Sequence, residues 1–181
     1  MPSKSNRVNV LLDEEHAAKL FRLAARTYVN PGTIARSLLS TALDQADPDP
    51  GTVTALLDAI PNAYERAQQG LREARSGRVS GSRTCNPVAA VVLTLTAVAD
   101  LERLTTTHSL PATTRDRVKS SLGPLTTFPL LGPPLTGRWQ GFRFILGPWS
   151  WMLLVYAYDE EADQVSVVTI QDARSAESVT S

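Results

Sequence analysis

The sequence predicts an α+β protein built from small units, and three observations carry that prediction. A strict alternation of polar and apolar residues over Arg7–Leu12 runs into two helical stretches. From residue 88 an apolar strand, two helical stretches and three more strand candidates follow in order. Between these, residues 47–86 are broken by Pro48, Pro50 and Pro61 and by a Gly, Ser and Arg-rich run from Ser76 to Asn86. With 181 residues, 43% hydrophobic and 20% charged, the chain has a globular rather than a disordered composition.

In the first strand, Val8, Val10 and Leu12 point to one face and Arg7, Asn9 and Leu11 to the other. No second strand follows nearby, so its backbone edge is expected to pair with a second copy of the chain. Asp13 is placed to cap a helix with Glu14 and Glu15 in its first turn, and Ala17, Leu20, Leu23 and Ala24 form its apolar stripe. Asn30-Pro31-Gly32-Thr33 opens a second helix, with Ile34, Ala35, Leu38, Leu39, Ala42 and Leu43 as its buried side. Residues 1–46 are thus read as one domain that buries a core only when two copies interlock.

Residues 47–86 are read as linker helices. A short helix covers 52–60, and a second after Pro61 carries a narrow stripe of Ala63, Ala67, Leu71 and Ala74, too thin to be stable without a surface to lie on. Residues 87–181 form the third part: a strand at Val88–Leu93, a helix through Leu101 and Leu104, a helix at Pro111–Leu125, and strands at Arg138–Leu146, Trp151–Tyr158 and Val165–Gln171. The expected order is β-α-α-β-β-β, with an antiparallel sheet. Asp159–Asp163 reads as a solvated hairpin loop rather than a metal site.

Charge supports division of labour. Residues 1–46 carry six basic side chains against four acidic ones, whereas residues from 87 onward carry seven against nine, so a nucleic-acid contact belongs to the front. A lone Cys85 excludes an internal disulfide and fits a reducing compartment. No apolar run suits a bilayer and the N-terminus lacks the core of a signal peptide, so a cytoplasmic protein without a membrane partner is expected. No cofactor and no metal are expected.

Residues 6–46 resemble the ribbon-helix-helix family of bacterial repressors and antitoxins, on the strength of RVNVLLDEE, the Leu20/Leu23/Ala24 stripe and NPGTIARSLLSTAL. The resemblance implies a homodimer whose two-stranded ribbon enters the major groove of operator DNA. Arg7, Asn9 and Leu11 would face the bases, arginine suiting guanine and asparagine adenine, while Asn30, Gly32 and Thr33 would meet a phosphate.

Residues 88–174 resemble toxins of the ParE/RelE superfamily, through VVLTLTAVADLERL, PLLGPPLTGRWQGFRFIL, WMLLVYAYDEEADQVSVVTI and a closing DAR. The preceding YERAQQGLREARSGRVS resembles the segment by which antitoxins cover such toxins, with Tyr64, Ala67, Leu71, Ala74 and Val79 as its contacts, made within one chain or by domain swapping. The resemblance implies RNA, the ribosome or gyrase as a target, but the chain departs from the ribonuclease pattern. Its third strand has no arginine and no tyrosine follows Arg174. Arg138, Arg143, Tyr156 and Arg174 remain as weak catalytic candidates. The plainer reading of Arg143 is a surface ion pair, that of Trp139, Trp149 and Trp151 is packing, and His16 and His108 read as isolated surface residues.

The expected function is a fused antitoxin–toxin acting as a dimeric DNA-binding autorepressor with its toxin-like domain neutralised or degenerate. The alternatives are an RNA endonuclease or gyrase inhibitor held in check, and a one-component regulator that senses a ligand.

Overall fold

The structure is a computed structural model that describes residues 9–46, 49–80 and 89–175. The chain divides into two compact units, residues 1–44 and 45–181. Arg7 and Val8 of the expected ribbon lie outside the described residues, as does Cys85.

In the first unit, residues 9–12 form no strand within the single chain. Helix α1 spans Glu14–Thr27, and its N-cap Asp13 accepts a hydrogen bond from the His16 amide at 2.8 Å. Tyr28 ends it in the left-handed conformation at φ 56°. Helix α2 spans Pro31–Ala46, with proline at its first position as the sequence predicts.

The second unit opens with α3, Pro50–Ala59, whose cap Asp49 accepts from the Thr52 amide and hydroxyl, and α4, Ala63–Arg75. Strand β1, Val79–Ser80, and β2, Ala90–Thr94, precede α5, Leu95–Thr107. Helices α6, Thr114–Leu122, and α7, Pro124–Thr127, replace the single helix expected over 111–125, because Gly123-Pro124 interrupts it. The expected strand over 138–146 is shorter. Gly137 and Gly141, at φ 60° and 93°, turn the chain through a 3₁₀ turn at Gly137–Trp139 before β3 begins, Arg143–Leu146. Strands β4, Met152–Asp159, and β5, Gln164–Asp172, close the unit.

The sheet order is β1-β2-β5-β4-β3. The antiparallel sheet expected from sequence is corrected to a mixed one: β3, β4 and β5 form an antiparallel meander, but β2 runs parallel to β5, with Val91 opposite Val165. The cause is topological. The helical crossover after β2 delivers the chain to the far edge of the sheet, and the meander then works back until β5 lies beside β2 in the same direction.

Two apolar clusters flank this sheet. Met152, Leu154 and Tyr156 of β4 enter one with Ala97, Leu101 and Leu104 of α5 and Val118 of α6. Leu153 and Val155 enter the other with Leu57, Ala63, Ala67, Trp139, Phe144 and Val168. Strand β4 is therefore buried on both faces, which explains its nearly unbroken apolar run.

Polar groups fasten α4 to α5. Thr94 caps α5 through its hydroxyl, which accepts from the Ala97 amide at 3.2 Å, and the Glu73 carboxylate accepts from the Thr96 amide at 2.8 Å and hydroxyl at 3.0 Å. A side chain of α4 thus supplies half the cap of another helix. Burial disfavours the charge on Glu73, but bonds from Thr96 and Gln69, with the nearby Arg78 charge, outweigh it and hold its pKa below the ordinary value. Stability from this group is therefore present above roughly pH 4.3 and lost as pH falls through the lower folded value. Glu73→Ala is expected to cost about 1–2 kcal/mol near neutrality. The gap in melting temperature between wild type and variant should close on acidification from about pH 6 to about pH 3; a gap independent of pH would contradict the assignment.

Candidate functional site

The residues expected to meet DNA are distributed over the first unit. Asn9 and Leu11 are exposed, Leu11 almost completely at 99%. Asn30 does not leave the start of α2 open as expected. Its side-chain oxygen accepts from the Gly32 amide at 2.8 Å and its carbonyl from the Thr33 amide at 3.0 Å, so two donors expected for a phosphate are already engaged. Gly32 and Thr33 remain exposed. Part of the apolar side expected to be buried is open in the single chain: Val10, Leu12, Leu38, Leu39 and Leu43 are exposed, whereas Ala17, Leu20, Leu23, Ile34 and Ala35 are half-buried and Ala24 is the one buried residue among the described residues of this unit; Phe21, outside that expected stripe, is exposed as well.

In the second unit, α4 lies against the sheet. Ala67 is fully buried, Tyr64 meets Trp139 edge to face at 5.3 Å, and Leu71 packs against the same cluster. Ala74 is half-buried beside a cleft of about 420 Å³ between α4, residues 140–142 and the β4–β5 hairpin. Val79, expected in an extended tail, adds a short strand to β2 opposite Thr94. Three residues on α4 that sequence reasoning passed over hold it most firmly: Glu73, Gly70 and Arg66. Gly70 touches the backbone of Val168, and Arg66 pairs with Asp100 of α5 at 2.5 Å.

The four catalytic candidates are not brought into one site. Arg138 is bound to Asp58 of α3 at 2.7 Å and lies over Tyr64. Arg143, read as an ion-pair partner, instead donates to the carbonyls of Leu130 at 3.2 Å and Gly132 at 2.7 Å. Tyr156 is fully buried, its hydroxyl accepting from the Gly132 amide at 3.0 Å, and burial pushes its pKa up. These two pin the 130–132 loop over the sheet.

Arg174 sits elsewhere, in a cluster the sequence did not reveal. Asp172, almost fully buried, accepts from Arg174 Nε at 3.0 Å through one oxygen, and through the other meets Arg174 Nη2 at 3.1 Å and His108 Nε2 at 2.8 Å. Burial opposes its ionisation, yet the Arg174 bonds and the charges of Arg174 and His108 hold its pKa below the ordinary value. His108 ends α5, half-buried, with its ring 4.9 Å from that of Trp151. Its isolation in sequence was therefore misleading. Arg174 lies 4.1 Å over the Trp151 ring, Trp151 stacks on Trp149 at 6.0 Å and 23°, and Arg117 of α6 lies 5.9 Å over Trp149. Trp139 belongs to the core, as its packing role requires.

The 159–163 run forms a closed turn, with the Asp159 carboxylate accepting from the Glu161 and Ala162 amides. Among the described residues no cluster of His, Cys, Asp and Glu is placed to hold a metal ion, and no helix is long and apolar enough to cross a membrane.

No protein-family profile and no curated protein matches the chain. Among solved structures, a chain of the RelBE2 toxin-antitoxin complex from Mycobacterium tuberculosis is similar to 47% of this chain over 98% of its own length, at 26% identity and a TM-score of 0.38.

Proposed function

We propose that the chain is a fused antitoxin–toxin protein that works as a dimeric, sequence-specific DNA-binding autorepressor, with its toxin-like unit neutralised or degenerate. The observation that carries this reading is the uncovered apolar side of α1 and α2. Two helices exposing Phe21, Leu38, Leu39 and Leu43 cannot hold a core alone, and a second copy of the same surface is the simplest cover. A strand whose partner is its own counterpart has no ladder in one chain, which fits the unpaired residues 9–12.

The state of the toxin-like unit rests on two features. Helix α4 shares its Arg66 and Glu73 with the buried bonds of α5, so it is not a cover that lifts off. Arg138, Arg143 and Tyr156 are all engaged in structural bonds. Both favour repression over ribonuclease or gyrase-directed activity, and no recognisable ligand motif favours a small-molecule sensor.

The test is a gel shift with the DNA upstream of the chain's own coding sequence. Arg7→Ala and Asn9→Ala should each weaken binding by roughly tenfold or more, since a good side-chain–base pair discriminates by about 1–3 kcal/mol. Leu38→Asp should give a monomer in sedimentation and no shift. A wild-type chain that sediments as a monomer at micromolar concentration, or binding by both ribbon variants unchanged from wild type, overturns the proposal.

A further inference from the structure

Helix α4 covers only part of its face of the sheet. Where it ends, its last turn, the turn before β3 and the β4–β5 hairpin enclose the cleft of about 420 Å³. The lining there differs from the apolar cluster beside it. Strand β5 places Val168 under Gly70 but presents Gln164 and Ser166 to the cleft, so its α4-facing side turns from apolar to polar within one strand. Leu71, Phe142 and Ala157 keep part of the wall apolar.

The charges and hydrogen-bonding capacity left over in this cleft agree with each other. Asp159, Glu160 and Glu161 line it against Arg75, and among the described residues no ion pair engages any of the four. One Asp159 oxygen is held by the Glu161 and Ala162 amides, which leaves the other open. The negative field is felt at Tyr158 on the same wall. Its bond to Asp163 first, then desolvation and the charges of Asp163, Glu160 and Asp159, hold its pKa above the ordinary value. Gln68 and Gln164 are half-buried and spend their amide nitrogens on the Tyr64 and Ser166 hydroxyls, each at 3.0 Å. Among the described residues neither side-chain carbonyl receives a donor, so acceptors outnumber donors on the wall as well as at the mouth. Such a lining repels phosphate. Among the described residues the carboxylates do not converge as a metal ion requires. What fits is an elongated organic cation, whose ammonium groups donate to the free acceptors while its methylenes lie on the apolar wall.

We propose that this cleft binds a linear polyamine, with Asp159, Glu160 and Glu161 taking one ammonium group, the carbonyls of Gln68 and Gln164 taking another, and Leu71, Phe142 and Ala157 covering the stem between them. Every lining residue belongs to the 45–181 unit, so the site stands or falls independently of the DNA-binding ribbon. A ligand held there bridges α4 to the hairpin and stabilises the folded unit by mass action.

The full chain is titrated with spermidine at low salt by calorimetry, and its melting temperature is followed in parallel. Spermidine should bind and raise the melting temperature, putrescine should bind less tightly, and butylamine, with a single charge, least. Glu160→Gln and Glu161→Gln, both at exposed positions, should each weaken spermidine binding about threefold, the effect of a partly exposed ion pair, and together about tenfold. Ala74→Phe fills the cleft while leaving its charges in place, and should abolish binding. Asp163→Asn removes a carboxylate of the same hairpin that does not line the cleft, and should change the affinity little. Should Ala74→Phe unfold the unit, the two exposed glutamates and Asp163 still decide the matter. Absence of spermidine binding at millimolar concentration, unchanged affinity in the double glutamine variant, or a loss in Asp163→Asn as large as in that variant overturns the proposal. So does displacement of spermidine by magnesium ion, or by the peptide Gly-Lys-Gly, at equal concentration, since the first marks general charge attraction and the second a site for a protein side chain.

Discussion

Gly70→Ala is expected to destabilise the 45–181 unit by about 3 kcal/mol, the upper end of what overpacking costs. The sign is the informative part. In an exposed helix interior the same change gains about 1 kcal/mol, because alanine is the better helix former. Here a Cβ on Gly70 would stand 2.1 Å from the Val168 carbonyl oxygen and 2.7 Å from its carbon, both backbone atoms of β5 that no rotamer change can move. Helix α4 must lift from the strand or β5 must shift, and either opens the cluster holding Ala63, Ala67 and Val168. Thermal unfolding should show a fall of roughly 10 °C. An unchanged or raised melting temperature would mean that α4 does not lie on the sheet at this distance.

Asp100→Ala should cost about 3 kcal/mol in urea unfolding, since it leaves the buried Thr169 hydroxyl and Ile170 amide without an acceptor, while the half-exposed Arg66 and Arg103 can turn to water. The Asp100 carboxylate has no solvent exposure and receives Arg66 at 2.5 Å, Arg103 at 3.2 Å, the Thr169 hydroxyl at 2.6 Å and the Ile170 amide at 3.2 Å. It touches α4, α5 and β5 together. Asp100→Asn keeps an oxygen for Thr169 or Ile170 and should lose clearly less than alanine. A double-mutant cycle with Arg66→Ala should give a coupling of at least about 1 kcal/mol, as expected of direct partners. An alanine variant within about 1 kcal/mol of wild type would show that the network contributes little.

Local signals in the sequence located most elements and missed what joins them. Asp13 and Asn30-Pro31 mark helix starts because capping is written within three residues of the helix it serves, whereas Asp49-Pro50, read only as a break, is the start of α3. The apolar run of β4 and the acidic turn after it were equally plain. The parallel pairing of β2 with β5 was not, because crossover direction leaves no mark on either strand. Helix α4 looked weak for a physical reason that the structure inverts. Its stripe is made mostly of small residues because the helix lies close to the sheet, and Arg66 and Glu73 carry no local mark of their role because their partners Asp100 and Thr96 lie far along the chain. His108 and Asp172 are far apart in sequence and carry no shared motif, so only the fold makes them a pair.

The sharing of a helix cap between α4 and α5 also bears on how such a molecule could be controlled. Where inhibitor and inhibited part are separate chains, their ratio can be changed by degrading one faster than the other. Here each sheet is synthesised with the Glu73 that completes it, so the two are produced one to one and are turned over together. Under the proposed function, starvation or protease induction alters the number of molecules in the cell, and therefore operator occupancy, without ever releasing an unaccompanied toxin-like half.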